Sequence, residues 1–435
     1  MRLVTFAPGG FDKELAAFRG TASSSRAVEE VVRRILADVR RQGDRAVARY
    51  ARKFDRAALR PSAFRVRPAE IAAALRALPQ PRRRALSAVH AAVLDFNRKG
   101  RPAGWSARNR HGARVGEKFD PVRRVGLYIP GGEVPLVSTV LMTATLAAVA
   151  GCPGVAAFTP GGPGGRVSPD LLAALALAGV SEVYRIGGVQ AIGAMAYGTR
   201  TIPAVDKIFG PGNAYVCEAK RQVFGTVGVD LLPGPSELMV IADGSARASD
   251  AAADLLAQAE HGSGMEKLYL VSPSLSIIRA IAAQMERQMA GLGRADRIRR
   301  VVDSGFLAVR VKDLAQAAQV ANRVAPEHLE LLVGSRPARG LAAQVTTAGA
   351  IMMGGATPTV VGDFAAGPSH VLPTGGAGRF SSGLRVEDFM RRTSLLDYSL
   401  PSLRRALPVI EALAAMERLD AHGRSASVRF AGPAR

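Results

Sequence analysis

Cysteine and aromatic side chains are scarce in this 435-residue sequence. Two cysteines, Cys152 and Cys217, are too few for a disulfide framework or for a zinc site built from thiolates. We therefore expect a reducing, cytoplasmic setting, and we interpret both cysteines as core residues. Aromatic residues make up 5% of the chain and hydrophobic residues 48%, which is typical of an α/β enzyme with a core of Ala, Val and Leu.

Acidic residues are also few, since 36 Asp and Glu against 58 Lys and Arg leave a net charge of +22. Such a balance is found in proteins that bind nucleic acid. Here the arginines are spread along the chain, and the densest run, at 81–84, has no interleaved aromatic residues that could stack on bases. We favour a solvated arginine-rich surface, and nucleic-acid binding without catalysis remains the alternative from a different class.

The sequence lacks a signal-peptide core at its start, so none is expected. Residues 134–165 carry no charge, which is long enough to cross a bilayer. However, Cys-Pro-Gly at 152–154 interrupts this segment. We therefore predict a helix over 138–150 followed by a buried parallel strand over 155–159, and no membrane span.

The spacing of apolar residues predicts helices in the first third of the chain, over 24–56 and 68–100, with Gly43 dividing the first. After Pro121, short apolar strands alternate with glycine-rich loops and helices, as in "RVGLYIPGG" and "VDKIFGPGN". This order predicts a parallel sheet with a nucleotide at the carboxyl ends of its strands, where loop N–H groups can approach a phosphate. A second α/β region follows, and the tail from Leu384 is predicted to be helical.

The segment "QAEHG" contains two candidate metal ligands. Gln258 and His261 are three residues apart and share a helix face, and Gly262 is a plausible C-cap. An amide oxygen and an imidazole can bind Zn²⁺, but two ligands do not make a site. From these residues alone, a capped helix end is the competing interpretation.

Other candidates are scattered along the chain. Glu327 and His328 are adjacent, and such a pair can move protons near neutral pH, although an ordinary surface dipeptide is equally compatible. A glycine- and proline-rich loop over 362–376 holds Asp363 and His370, and loops of this kind serve a site or run over the surface. Glu417 and His422 lie near the C-terminus.

Taken together, these segments resemble the histidinol dehydrogenase family. The resemblance runs from about Ser24 almost to the end of the chain. It is densest in "VGLYIPGGEVPLVSTVLMTATLAAVAGC", "GGVQAIGAMAYGT", "VDKIFGPGNAYVCEAKRQVFG", "GPSELMVIAD", "DLLAQAEHG", "APEHLE", "GDFAAGPSHVLPTGG" and "ERLDAH". Several ordered motifs over nearly the whole chain are far more specific than any one dipeptide.

The resemblance implies roles for particular residues. It implies one zinc ion per site, held by four side chains that also face the substrate: Gln258, His261, Asp363 and His422. It implies acid–base catalysis by Glu327 and His328, with substrate contacts from His328 and from Ser236, His370 and Glu417. It places the NAD contacts at Tyr128, Gln190 and Asn213.

The family's reaction is a four-electron oxidation of L-histidinol to L-histidine through L-histidinal, with two NAD⁺ and one water. The resemblance also implies an α/β fold with two Rossmann-like parallel-sheet domains, a helical N-terminal segment and a small C-terminal helical domain. We expect a segment over 1–22, a first α/β domain over 23–127 plus 238–383 with the zinc and catalytic residues, and a second, NAD-binding one over 128–237. The helical region over 384–435 is expected to complete the site of the other subunit in a homodimer.

Three places depart from the family pattern. Ser263-Gly264-Met265 stands where Pro-Asp is usual, Ser369 where Asn is common, and Pro233 where Ala is usual. None of these changes removes a ligand or a base. They leave open a relative that oxidises another polar alcohol, such as a sulfonated diol, although Glu417 and His370 favour histidinol.

Overall fold

The structure, a computed structural model, describes residues 2–19, 26–131, 135–261 and 264–431. The strands of this part of the chain are, in order, β1 (Arg2–Thr5), β2 (Trp105–Arg108), β3 (Arg114–Pro121), β4 (Arg124–Tyr128), β5 (Gly154–Phe158), β6 (Glu182–Tyr184), β7 (Lys207–Phe209), β8 (Gly228–Val229), β9 (Glu237–Ala242), β10 (Lys267–Ser272), β11 (Phe306–Arg310), β12 (His328–Leu332), β13 (Ala350–Met353) and β14 (Met390–Asp397). The α-helices are α1 (Phe11–Arg19), α2 (Arg26–Gln42), α3 (Asp44–Phe54), α4 (Pro68–Ala77), α5 (Gln80–Lys99), α6 (Val137–Ala150), α7 (Pro169–Leu177), α8 (Gly188–Tyr197), α9 (Ala214–Val223), α10 (Ala248–Ala259), α11 (Leu275–Met289), α12 (Ala295–Gly305), α13 (Leu314–Val324), α14 (Ser335–Gln344), α15 (Thr359–Phe364), α16 (Leu400–Glu417) and α17 (Asp420–Ser427).

Two parallel sheets form the centre of the protein. The five-stranded sheet has the order β6-β5-β4-β7-β8, and all of its neighbouring strands are parallel. The six-stranded sheet has the order β1-β11-β10-β9-β12-β13, again with parallel neighbours. In each, the chain leaves a central strand first to one side and later to the other, which creates a topological switch point. The predicted α/β fold with two such sheets and a C-terminal helical region is confirmed.

The N-terminal helices cover the five-stranded sheet. Gly43, at a φ of 53°, separates α2 from α3 as predicted. Helix α2 packs against α8 and α9, α4 packs against α7, and α5 packs against α6. By contrast, β1 is an edge strand of the six-stranded sheet, and α1 packs on that sheet through Phe11 and Leu15. We therefore correct the predicted grouping of 23–127 with 238–383, because helical periodicity reveals a buried face but not the sheet that the face covers.

The uncharged segment folds as a helix and a strand. Helix α6 is buried on nearly all sides and is followed by β5, in agreement with the prediction. Gly151, in the left-handed conformation at a φ of 85°, ends the helix. Among the described residues, no helix is both long enough and apolar enough to cross a bilayer.

The C-terminal region contains the predicted helices, but its first part is the strand β14, which corrects the predicted start of the helical tail at Leu384. Strand β14 pairs antiparallel with β3, which also pairs with β2, and this forms a separate three-stranded sheet. Helices α16 and α17 follow and pack against each other. Arg405 of α16 donates a hydrogen bond to the carbonyl of His111 in the loop between β2 and β3. The end of the chain is thus attached to this small sheet.

Candidate active site

The predicted catalytic residues lie at the amino edge of the six-stranded sheet. His328 begins β12 and Glu327 directly precedes it, and the neighbouring parallel strand β9 begins just after Ser236. Helix α13 ends with Ala325 in the left-handed conformation at a φ of 47°. A non-glycine residue adopts that conformation at an energetic cost, which the surrounding structure must offset. This turn reverses the chain so that Glu327 enters the site.

Glu327 is buried and held by one backbone donor. Its Oε2 accepts a hydrogen bond of 2.8 Å from the N–H of Glu237, and it lies 3.6 Å from Nδ1 of His328. Burial raises the pKa of the Glu327 carboxyl to about 7, although the charge of His328 opposes this shift. A carboxyl whose pKa is near neutral can take up a proton and release it again.

His328 connects this carboxyl to the next loop. Its Nδ1 is 3.3 Å from the carbonyl oxygen of Glu237, and its Nε2 is 3.5 Å from Oδ1 of Asp363. Burial lowers the pKa of His328, but the charge of Glu327 and the contacts with Asp363 outweigh burial and raise the pKa to about 9. The imidazole is therefore fixed on both sides.

Asp363 and His370 complete this part of the site. The Nδ1 atom of His370 is 3.2 Å from the carbonyl oxygen of Asp363. Burial lowers the pKa of His370, whereas the pKa of Asp363 is lowered despite burial, by its contact with His328 and by the charges of three histidines. A cavity of about 220 Å³ opens beside these groups. It is lined in part by Phe96, Asn97, His328, Ser369, His370 and Arg385.

The predicted zinc ligands are brought together only in part. Gln258 is 2% exposed on the last turn of α10, and its Nε2 has no hydrogen-bond partner among the described residues. Helix α10 contacts α15, which carries Asp363, and the charge of His261 reaches that carboxyl. The predicted C-cap, Gly262, and Ser263 lie outside the described residues, and α10 ends at Ala259.

Glu417 and His422 are not part of this arrangement. Both are exposed, Glu417 at the end of α16 and His422 on α17. Within the described portion of one chain, no group of three or more His, Cys, Asp or Glu side chains could hold a metal ion. A single chain thus presents Gln258, His261 and Asp363, while His422 lies elsewhere.

The predicted NAD residues lie at the carboxyl edge of the five-stranded sheet, around its switch point between β4 and β7. Tyr128 ends β4, and its hydroxyl accepts a hydrogen bond of 3.1 Å from the N–H of Gly188. Asn213 follows β7 and caps α9, where its Oδ1 accepts bonds from two backbone N–H groups. Gln190 is completely buried on the first turn of α8, and its Oε1 has no partner among the described residues.

Asp55 is a site residue that the sequence analysis missed. Its Oδ2 accepts hydrogen bonds from the N–H of Gly187 at 3.3 Å and from Nε2 of Gln190 at 3.2 Å. Burial raises the pKa of this carboxyl to about 6. Because Asp55 takes the amide nitrogen of Gln190, the amide oxygen is left to accept from a ligand. No local pattern distinguishes Asp55, which the fold brings to α8 from the end of α3.

A buried ion pair that the sequence analysis also missed fixes the loop after β7. Lys220 and Asp230 form an ion pair in which both side chains are almost wholly inaccessible. Lys220 donates to the carbonyl of Gly210 at 2.9 Å, and Asp230 accepts from the N–H of Gly210 at 2.7 Å. Gly210 has a φ of 110°, and a Cβ there would lie 2.1 Å from the carbonyl oxygen of Tyr128. The loop thus passes close to β4, as a dinucleotide-binding turn requires.

Neither cysteine is placed as a nucleophile. Burial raises the pKa of both thiols to about 11. Cys152 donates to the carbonyl of Phe389 at 3.6 Å, and Cys217 donates to that of Pro233 at 2.9 Å. A thiol that stays protonated is a poor nucleophile, so the structure supports the interpretation of both as core residues.

Two of the three departures from the family pattern, Ser369 and Pro233, lie among the residues that the structure describes. Ser369 is buried, and its hydroxyl donates to the carbonyl of Met142 at 3.1 Å and accepts from the N–H of Val371. Pro233 is buried and receives the Cys217 thiol. Both residues support backbone around the site, and neither displaces a catalytic group.

Comparison with known proteins identifies the family. The model of the histidinol dehydrogenase family matches residues 19–430. The histidinol dehydrogenase of Symbiobacterium thermophilum is 45% identical over 93% of this chain and 92% of its own length, and that of a Synechococcus species is 43% identical over 92% of each chain. The crystal structure of histidinol dehydrogenase from Elizabethkingia anophelis superposes with a TM-score of 0.93 at 32% identity, covering 99% of this chain and 98% of that one.

The agreement extends over sequence, fold and length. The buried Glu327–His328 pair and the glycine-rich loops therefore occur in a fold that this chain shares with proteins named histidinol dehydrogenase. The chain belongs to the histidinol dehydrogenase family, whose known function is the NAD-linked oxidation of histidinol in histidine biosynthesis.

Proposed function

We propose that this protein is a zinc-dependent enzyme that oxidises L-histidinol to L-histidine through L-histidinal, with two NAD⁺ and one water. The observation that carries the proposal is the buried Glu327–His328 pair, fixed by the start of β9 and next to Asp363. We propose a homodimer with shared sites in a reducing, cytoplasmic setting. The free thiols of Cys152 and Cys217 fit that setting.

The donor set fits zinc. Zn²⁺ is bound by imidazole nitrogen and carboxylate oxygen, and it takes four ligands. Gln258 is buried and its amide Nε2 has no partner in the part of the chain that the structure describes, and His261 and Asp363 lie near each other. We propose that these three side chains and His422 of a second chain hold the ion. When bound, zinc would hold the amine and the imidazole of the substrate and so fix its orientation.

Glu327 and His328 are suited to the proton transfers. His328 can accept a proton only when its imidazole is neutral. The contact with Asp363 stabilises a proton on Nε2 of His328, so this contact must be released before His328 can act as a base. We propose that His328 takes the alcohol proton, that Glu327 activates water for attack on the aldehyde, and that His328 serves again in the second oxidation. Ser236, His370 and Glu417 are proposed to contact the substrate.

The loops of the five-stranded sheet fit a dinucleotide. Tyr128, Gln190 and Asn213 surround the switch point at which such folds bind nucleotides. NAD would accept a hydride in each of the two oxidations. The Oε1 of Gln190, which has no partner among the described residues, offers a buried acceptor for a hydroxyl or amide group of NAD.

The exposed apolar surface of the C-terminal region supports the homodimer. Leu396 of β14 is 73% exposed, and Met416 of α16, which precedes Glu417 in the sequence, is 78% exposed. Large apolar side chains on one surface mark an interaction site. A second copy that covers this surface would bring His422 and Glu417 towards the three ligands of the first.

The test of the proposed function is NADH production from L-histidinol, compared with other amino alcohols and with a sulfonated diol. We expect activity with L-histidinol, one zinc ion per site and loss of activity on chelation. A preference for the sulfonated diol would favour the alternative substrate that the three sequence departures leave open. Salt-dependent binding to DNA by a protein without zinc would favour the nucleic-acid alternative.

Replacing Asp55 by Ala should weaken NAD binding. Without the Asp55 carboxylate, Gly187 N–H and Gln190 Nε2 each lose an acceptor. The amide of Gln190 would then turn to satisfy its donor, and NAD binding would have to restore the original orientation, in which an unsatisfied buried donor costs about 1–3 kcal/mol. We expect a KM for NAD raised about tenfold, since 1.4 kcal/mol corresponds to a factor of ten. Steady-state kinetics with each substrate varied in turn measures the effect.

The KM for L-histidinol should stay unchanged in this variant. Asp303→Ala, at an exposed position of α12, serves as the matched control. Equal increases in both KM values, or an unaltered KM for NAD, would contradict a role for Asp55 in orienting Gln190.

A further inference from the structure

A second group of buried polar side chains lies beneath the candidate active site. Glu330 of β12 is completely buried, and neither of its carboxylate oxygens accepts a hydrogen bond of good geometry from the described residues. The hydroxyl of Thr359, which begins α15, is buried and equally unpartnered there. Asp254 of α10 is half-buried beside Glu330. None of these three residues belongs to the proposed acid–base or metal set.

Each of these three residues lies two strand residues, or about one helical turn, away from a residue of the candidate active site. Glu330 follows His328 by two residues in β12, and Asp254 and Thr359 precede Gln258 and Asp363 by four residues in their helices. Two residues of a strand span about 7 Å, and four residues of a helix span about 6 Å. The three offsets are therefore nearly equal.

The direction of the elements places all three members on the same side. Successive residues of β12 face opposite sides of the sheet. Leu329 and Leu331 pack among residues of α13 and α14 on one side, whereas Leu332 packs with α10 on the other. Glu330 and His328 therefore both face α10. Helix α10 also contacts α15. We call Asp254, Glu330 and Thr359 together the lower layer.

Two adjacent carboxylates are stable at this depth only if they hold a proton between them. Burial raises the pKa of Glu330, and the charge of the neighbouring Asp254 raises it further. Carboxylates only accept hydrogen bonds, so one proton converts two repelling acceptors into a donor and an acceptor. Glu330, the more buried member, would donate to Asp254.

We propose that Glu330 and Asp254 share one proton and, together with Thr359, act as positioning residues that hold Gln258, Asp363 and His328 in register. The shared proton ties α10 to β12, and Thr359, whose backbone N–H reaches Glu330, adds α15 through its hydroxyl. Each of these contacts lies one helical turn, or two strand residues, from the site residue that it positions. This inference rests on the proposed zinc site and names residues that support it from below.

The test compares Glu330→Leu with Glu330→Gln. Leucine fills the space but cannot bond Asp254, whereas glutamine donates its amide N–H without a shared proton. Loss of groups that orient metal ligands typically weakens metal binding by about 10- to 100-fold. We expect that loss in Glu330→Leu, measured by competition with a chelator, and a changed absorption spectrum after loading with Co²⁺. Glu330→Gln should remain within about threefold of the unaltered protein, well under the 1.4 kcal/mol of a tenfold change.

Leu331→Ala is the matched control, because it weakens the same strand from the opposite face. It should lower thermal stability but leave zinc affinity unchanged. Thr359→Val should weaken zinc binding less than Glu330→Leu does. The positioning role is overturned if Glu330→Leu binds zinc normally, or if Glu330→Gln is as defective as Glu330→Leu.

The shared proton has its own readout. At a pH above the pKa of Glu327, the difference between the infrared spectra of the unaltered protein and Glu330→Gln should contain the band of a protonated carboxyl group, and the absence of this difference band would overturn the shared proton. If the unaltered protein shows this band but binds no zinc, the proposed metal site fails and the positioning role fails with it. Failure of the variants alone, in a protein that binds zinc, overturns the lower layer and leaves the proposed function intact.

Discussion

Glu327→Gln should separate the two oxidations. The variant should still convert L-histidinol to the aldehyde level, but it should release L-histidine from L-histidinal more slowly by about 10²- to 10⁴-fold, the usual contribution of a general base. Glutamine keeps an oxygen that can accept from the N–H of Glu237, so the turn before β12 is retained. It cannot take a proton from water, which only the second oxidation requires.

The measurement supplies L-histidinal directly and follows NADH under single-turnover conditions. Glu260→Gln is the matched control, since Glu260 is exposed at the end of α10 and is not placed in the acid–base or metal set. His328→Gln should slow both oxidations, because the imidazole serves in each. A Glu327→Gln protein that consumes L-histidinal at the normal rate would exclude Glu327 as the group that activates water.

The strands, helices and glycine-rich loops of the centre could be predicted because each follows from a local pattern. Apolar runs bounded by glycine gave the parallel strands, and Gly43 and Gly151 end helices where a left-handed residue is needed. The strand β14 was missed because its outward residues are polar and its apolar ones, such as Leu395 and Leu396, are exposed. An edge strand of a small sheet has little of the burial that produces a recognisable period.

The position of the candidate site depends on contacts that no local pattern contains. The Gln258 and His261 motif was visible, but its relation to Asp363 depends on the contact of α10 with α15. The catalytic pair lies at the amino edge of its sheet, whereas open α/β sheets usually bind ligands at the carboxyl edge. Asp55 and Glu330 were missed for the same reason, because their partners are distant in sequence and only packing shows that they are buried.

Mixed dimers provide the second large effect. We expect His422→Ala and His328→Ala each to be inactive as pure proteins. The first lacks the zinc ligand proposed to come from the other subunit, and the second lacks the proposed base. In a mixed dimer with shared sites, one site carries both substitutions and the other carries neither. Random mixing makes half of the dimers mixed with one intact site each, so about a quarter of the normal activity should return.

The recovery distinguishes a shared site from one that is complete within a chain. If His422 served the site of its own subunit, every site in the mixture would carry one defect, and no activity would return. Mixing His328→Ala with Glu327→Gln is the matched control. Both substitutions lie in one chain, at the first residue of β12 and the residue before it, so each site keeps one defect and L-histidine formation should not rise above that of the Glu327→Gln protein.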